Sequence, residues 1–110
     1  MKKIIILTLC VFWIAGCAVN RYRSDFEFAN RLAAEGLWKE AYYRWQKVLT
    51  AKGDSAALHN NLAVALESLD RLLEAEKEYQ LALKMAPGNT LIQSNYDRLK
   101  KNQRKNDNEK

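Results

Sequence analysis

Three features of the 110-residue chain predict an all-α domain. From Phe28 onward, apolar residues recur at three- and four-residue steps, the spacing that gathers side chains on one face of a helix. The steps break near Gly36, Lys52-Gly53-Asp54, Asp70-Arg71 and Pro87-Gly88-Asn89, where turn-forming residues collect. Shifting the chain along itself by 34 residues also brings large residues onto large ones and small onto small ones.

The first segment reads as a targeting signal. Met1-Lys2-Lys3 is a positive start, Ile4 to Ala15 is apolar, and Ile14-Ala15-Gly16-Cys17 puts small residues before a cysteine. A membrane-spanning anchor is the rival. Spanning hydrocarbon takes about 20 apolar residues, whereas this run closes after twelve and Asn20-Arg21-Tyr22-Arg23 follows. Ile14 to Cys17 resembles the bacterial lipobox. That resemblance implies cleavage after residue 16, diacylglycerol and acyl chains on Cys17, and Cys17 as the mature N-terminus. Several acyl chains hold a protein on a membrane where one lets it go, because each buried CH2 contributes about 0.8 kcal/mol. Ala18 stands where Asp tends to retain lipoproteins at the inner membrane, so the resemblance implies the outer membrane, facing the periplasm. Residues 17–24 are then a short linker, 25–103 the folded domain and 104–110 a disordered polar tail.

The helices follow in order. Ser24-Asp25-Phe26-Glu27 has the form of a capping box, opening a helix that ends near Gly36. A second carries Trp38, Ala41, Trp45, Val48 and Leu49 toward Lys52. Gly53-Asp54 stops it and caps a third, expected from about 56 to 68, with Leu58, Leu62, Leu66 and Leu69 on one stripe. Leu72 to Met85 forms a fourth, ended by Pro87-Gly88-Asn89. Thr90-Leu91-Ile92-Gln93 looks like another capping box, opening a fifth helix to about Gln103. Asn106 to Lys110 is too polar to pack and is expected to fray.

In the 34-residue register Phe28 falls on Leu62, Ala29 on Ala63, Leu32 on Leu66 and Trp38 on Leu72. Ala41 falls on Ala75, Trp45 on Tyr79, Val48 on Ala82 and Leu49 on Leu83. The pattern resembles the tetratricopeptide repeat. The resemblance implies a right-handed superhelix of two helix pairs, about 22–55 and 56–89, with a capping helix over 90–103. Asp70 replaces the family's turn glycine in the second unit, and the first unit lacks its closing proline. In the fifth helix, Asp97 and Lys100 replace Ala63 and Leu66, as the outer face of a cap requires. Two units and a cap are marginal, so a second copy covering the open end, through Tyr22, Phe26 or Leu37, is an alternative.

Composition narrows the function. Removing residues 1–16 lowers the formal charge from +5 to +3. Residues 17–99 are balanced, with 11 basic and 11 acidic side chains, so the surplus lies in the tail and nucleic acid is not an expected partner. Lys100-Lys101 and Arg104-Lys105 either meet anionic headgroups or form a solvated helix end. With Cys10 in the signal and Cys17 lipidated, no cysteine remains for a disulfide, a metal or a thiol nucleophile. The one histidine, His59, lacks a second His or Cys at metal-ligand spacing, and Glu74, Glu76 and Glu78 spread round a solvated helix. No enzyme activity, metal or further cofactor is expected.

Binding has the better case. In the family, first helices of successive pairs line a groove for a peptide or partner helix. Carried over, its positions are Arg23, Phe26, Asn30 and Ala33, then Asn60, Asn61, Val64, Glu67 and Arg71, then Leu91, Ser94, Asn95 and Arg98. Asn30 and Asn61 match asparagines of the chaperone-binding members, but Phe26, Leu91 and Asn95 occupy the places of the basic residues that clamp a carboxylate. Each amide can hold a peptide backbone, since it both donates and accepts; equally, the two can bond within the repeat. The expected function is a lipid-anchored adapter between envelope proteins, assisting assembly of an envelope, secretion or pilus complex. A self-associating structural lipoprotein is the rival.

Overall fold

The computed structural model describes residue 23 and residues 25–109; the expected signal, Cys17, Tyr22 and the Ser24 cap lie outside the described residues. The described chain is all helical: α1 (25–34), α2 (Trp38–Lys52), α3 (Ala56–Ser68), α4 (Leu72–Met85) and α5 (Thr90–Asn108). None of these helices is long and apolar enough to cross a membrane.

The turns repeat as the helices do. At the end of α1, Leu37 N–H donates to the Leu32 carbonyl at 2.9 Å and Gly36 N–H to Ala33 at 3.0 Å. At the end of α3, Arg71 N–H donates to Leu66 at 2.8 Å and Asp70 N–H to Glu67 at 3.1 Å. These are one motif 34 residues apart, and it needs a left-handed residue at its corner. Gly36 supplies φ +78° and Asp70 supplies φ +60°, a short polar residue tolerating what glycine adopts freely.

Three boundaries differ from expectation. Ser55, not Asp54, caps α3, its hydroxyl accepting from Leu58 N–H at 3.2 Å, while Asp54 lies beside His59. Asn89, not Thr90, caps α5 by accepting from Ile92 N–H at 3.1 Å. Cap geometry decides both, because the capping residue must be extended while its oxygen turns back to the first free N–H groups. Finally, α5 runs to Asn108, beyond Gln103 and through residues expected to fray. Its last turns are exposed, so no packing holds them there; continued backbone bonding and Lys105 at the negative end of the helix dipole favour the extension.

The core has two parts that share α3. Ala29, Ala41, Trp45 and Val48 pack with Leu58, Leu62 and Ala65 of α3. Ala63 and Leu66 of α3 pack with Ala75, Tyr79, Ala82, Ile92 and Leu99. Alanine at 29, 41, 63 and 75 is fully buried, as close approach of two helix backbones demands, with Trp45 and Tyr79 filling the space beside them. Each buried leucine contributes about 1.5–3 kcal/mol. Because α3 serves both parts, the two hairpins form one cooperative body.

Candidate binding groove

Side-chain bonds tie α1, α3 and α5 together. Asn61 Nδ2 on α3 donates to Asn30 Oδ1 on α1 at 3.2 Å, and Asn95 Nδ2 on α5 donates to Asn60 Oδ1 on α3 at 3.0 Å. About two turns further along α3, Glu67 accepts from Arg98 of α5 at 3.0 and 3.4 Å. The Tyr79 hydroxyl of α4 donates to the same carboxylate at 3.0 Å. Burial, followed by the Glu67 charge, raises the Tyr79 pKa well above its usual range, so the phenol stays a donor. Hydrogen bonding to Glu67 raises the pKa of Arg98 further still.

An open depression of about 350 Å³, here called the cavity, lies between α1 and α3 over the tryptophans of α2. Ala33, Ala34, Trp38, Trp45 and Val64 form its apolar wall, and the bonded pair Asn30 and Asn61 lines it with amide groups. It is open to solvent, with Asn30 and Ala34 exposed and only Trp45 of its lining residues buried. The indole N–H of Trp45, a residue 2 % exposed, is buried without an acceptor.

The expected groove residues therefore separate into groups. Asn30, Ala33, Asn61 and Val64 line the cavity. Asn60 is buried and held by Asn95, and Glu67 and Arg98 are held by one another. Arg23 pairs along α1 with Glu27 at 3.2 Å, and Phe26 packs on the α1–α3 core, so neither lines this cavity. Arg71 sits at the α3–α4 turn, bound by two bonds to Glu74 and stacked 5.1 Å from the Tyr42 ring centroid. It faces a separate open depression with Leu72, Leu73 and Lys100. Leu91 and Ser94 are exposed on α5.

Sequence reasoning read Trp38 and Trp45 only as packing residues and so missed them as cavity wall; their alignment with Leu72 and Tyr79 was the available signal. The expectation that Glu74, Glu76 and Glu78 form a solvated face needs correction. Glu76 accepts from Lys100 Nζ at 3.0 Å and Tyr96 at 3.1 Å, joining α4 to α5. Glu78 lies 2.5 Å from His59 Nδ1, joining α4 to α3. Only Glu74 stays near the surface, with Arg71. His59 itself is buried, with Asp54 3.5 Å from Nε2, and among the described residues no hydroxyl or thiol bonds to it. The ring fastens two helices. No group of three or more His, Cys, Asp or Glu among the described residues is placed to hold a metal ion.

The chain matches no protein-family model, and no curated protein is significantly similar to it in sequence.

Proposed function

We propose that this chain is a lipid-anchored adapter of the bacterial envelope, built as a short right-handed tetratricopeptide superhelix and joining proteins through the face shared by α1, α3 and α5. The observation that carries the reading is the α1–α3 cavity, where an apolar wall meets the Asn30 and Asn61 amides. A pocket of apolar lining with a few convergent polar groups suits a ligand held by shape and oriented by hydrogen bonds. Both amides already bond one another, and each retains further donor and acceptor capacity for a peptide backbone. The 34-residue repeat of the turn motif supports the superhelix, and the Ile14-Ala15-Gly16-Cys17 motif supports attachment through Cys17. The short stretch from Cys17 to α1 would keep the groove close to the bilayer, in our reading the periplasmic face of the outer membrane.

The test is crosslinking in membranes with the native lipoprotein beside an Asn30→Ala, Asn61→Ala double variant. One dominant envelope partner, lost in the double variant, supports the adapter. Recovery of only the protein itself removes the adapter reading and leaves a self-associating lipoprotein. Incorporation of labelled fatty acid, abolished by Cys17→Ser, tests the anchor independently.

A further inference from the structure

The first hairpin, α1 with α2, gathers positive charge that the rest of the domain neutralises. Residues 23–52 carry six basic and four acidic side chains, whereas residues 53–99 carry four basic and seven acidic. In the later helices Arg71, Arg98 and Lys100 each meet a glutamate at 2.6–3.0 Å. Among the described residues Arg31 and Arg44 form no ion pair, and neither does Glu40, one turn before Arg44. The two guanidinium groups instead sit over the exposed ring of Phe28, 5.5 and 5.1 Å from its centroid. Lys47, one turn after Arg44, lies 4.7 Å from the centroid of Tyr43, which is also exposed. Arg44, Lys47 and Tyr43 fall within about 100° of arc on α2, so the five residues make one surface. Two like charges drawn to one ring repel each other. A guanidinium over a ring keeps its N–H donors for an acceptor in its own plane, and phosphate oxygens fit that fork.

The repeat register bears on what can cover this face. Phe28 and Arg31 correspond to Leu62 and Ala65, through which α3 packs on the first hairpin. No described helix covers α1 in the same way, and arginine stands where α3 has alanine. An apolar surface stacked there would take both guanidinium groups out of water without a counter-charge. A layer of phosphates supplies the counter-charge and leaves them hydrated. Position supplies the phosphates: Cys17 lies eight residues before Asp25, a stretch that spans at most about 30 Å. An anchor at Cys17 thus holds the basic hairpin, not the acidic remainder, at the bilayer.

Resting on the Cys17 anchor of the adapter reading, we propose that the face formed by Phe28, Arg31, Tyr43, Arg44 and Lys47 docks on anionic phospholipid headgroups of the bilayer that carries the anchor. The three cations meet phosphate oxygens, and the two rings lie at the headgroup level, where amphipathic aromatic surfaces collect. Asn30 stands two residues from Phe28, about 200° round α1. Docking therefore turns the Asn30 and Asn61 side of the domain away from the lipid and toward partners.

The test uses the full lipoprotein, 15N-labelled, in nanodiscs of phosphatidylcholine alone or mixed with phosphatidylglycerol, each with some spin-labelled headgroups. Amide signals of residues 28–47 should broaden in the mixed discs while those of α4 stay sharp, and the contrast should fade in the neutral discs. Each basic group near an anionic surface is worth about fivefold, so Arg31→Gln with Arg44→Gln should lower the ratio of docked to undocked protein about 25-fold. Arg31→Lys with Arg44→Lys keeps both charges and should keep most of the contrast. Neither side chain is buried, so helical circular dichroism should be unchanged in both variants. Equal broadening of α4, a contrast that persists in neutral discs, or wild-type broadening in the glutamine variant each overturns the docking face. Broadening of residues 28–47 by a spin-labelled second copy or by an acidic partner protein, with none from lipid, overturns it too. If the face docks but crosslinking recovers no partner, the adapter falls and the docking face stands. If Cys17 takes up no labelled fatty acid, the anchor falls and the docking with it; uptake without the lipid contrast removes the docking alone.

Discussion

Glu67→Ala is the most informative perturbation of the second hairpin. The Glu67 side chain is 18 % exposed and accepts from Tyr79 and Arg98 together. Its removal strands the Tyr79 hydroxyl on a residue that is 0 % exposed. A buried donor left without an acceptor costs about 1–3 kcal/mol. Arg98 suffers less, because half of its side chain is exposed and it keeps its 3.0 Å bond to Asn95. An ion pair so placed contributes at most about 1 kcal/mol. Adding the lost contacts of the Glu67 methylenes, we expect a total of about 2–3 kcal/mol. That is a large share of the stability of such a domain, since about 85 ordered residues at about 0.05–0.15 kcal/mol each give about 4–13 kcal/mol.

Urea unfolding followed by helical circular dichroism measures the loss, with an unchanged slope showing that the same surface unfolds. A thermodynamic cycle with Tyr79→Phe isolates its cause. Tyr79→Phe alone should cost about 0.5–1.5 kcal/mol. In the Glu67→Ala background it should cost nothing or restore stability, because the orphaned hydroxyl is gone. Two results would refute the reasoning: Glu67→Ala within about 0.5 kcal/mol of wild type, the ordinary range for surface changes, or a Tyr79→Phe cost that is the same in both backgrounds.

Three further outcomes follow from the same structure. Hydrogen bonding from Lys100, aided by Tyr96, holds the Glu76 carboxyl below its ordinary value of 4.5. Its stabilisation is thus present above that pH and is lost as pH falls through the folded value; Glu76→Gln should cost about 0.5–1 kcal/mol at pH 7 and flatten an acid titration of stability below pH 4.5. Gly36→Ala should cost about 1 kcal/mol by urea midpoint, because φ is +78° while nothing lies within 4 Å of an added Cβ, and Asp70→Gly should be stabilising at the equivalent corner. Leu62→Ala, in the middle of α3 and 0 % exposed, should cost about 2–5 kcal/mol and broaden or abolish the thermal transition.

The helices were legible because their signals are local and repeated. Apolar spacing and the Gly36, Gly53, Asp70 and Pro87 breaks separate the described helices, and the buried alanines at 29, 41, 63 and 75 fall where the 34-residue register puts them. The caps were less legible: Asp54, Ser55, Asn89 and Thr90 can all cap, and only backbone geometry selects among neighbours. The partners of Glu76 and Glu78 were not legible at all. Each depends on which face of α4 meets α5 or α3, a tertiary fact that alternating glutamates do not encode. Groove positions separated for the same reason. Asn30 and Asn61 meet across two helices, whereas Arg71, one turn beyond Glu67, is drawn round the α3–α4 corner by Glu74 and Tyr42.

The contrast between the hairpins also bears on why the cavity persists. Ala33 and Ala34 on α1 stand where α3 has Glu67 and Ser68, so small residues keep open a space that larger ones occupy in the second unit. Filling it would be chemically simple. A domain of this size has a small core, and apolar surface left uncovered lowers its stability. Yet the remaining core of this hairpin is closed: Ala29, Ala41, Leu58 and Leu62 are each at most 2 % exposed. The defect is confined to one face, beside the amide pair that bridges α1 and α3. Poor packing in general would spread through the core. The gap thus follows from small residues at 33 and 34 on the face that carries the Asn30 and Asn61 amides, and not from loose packing of the core.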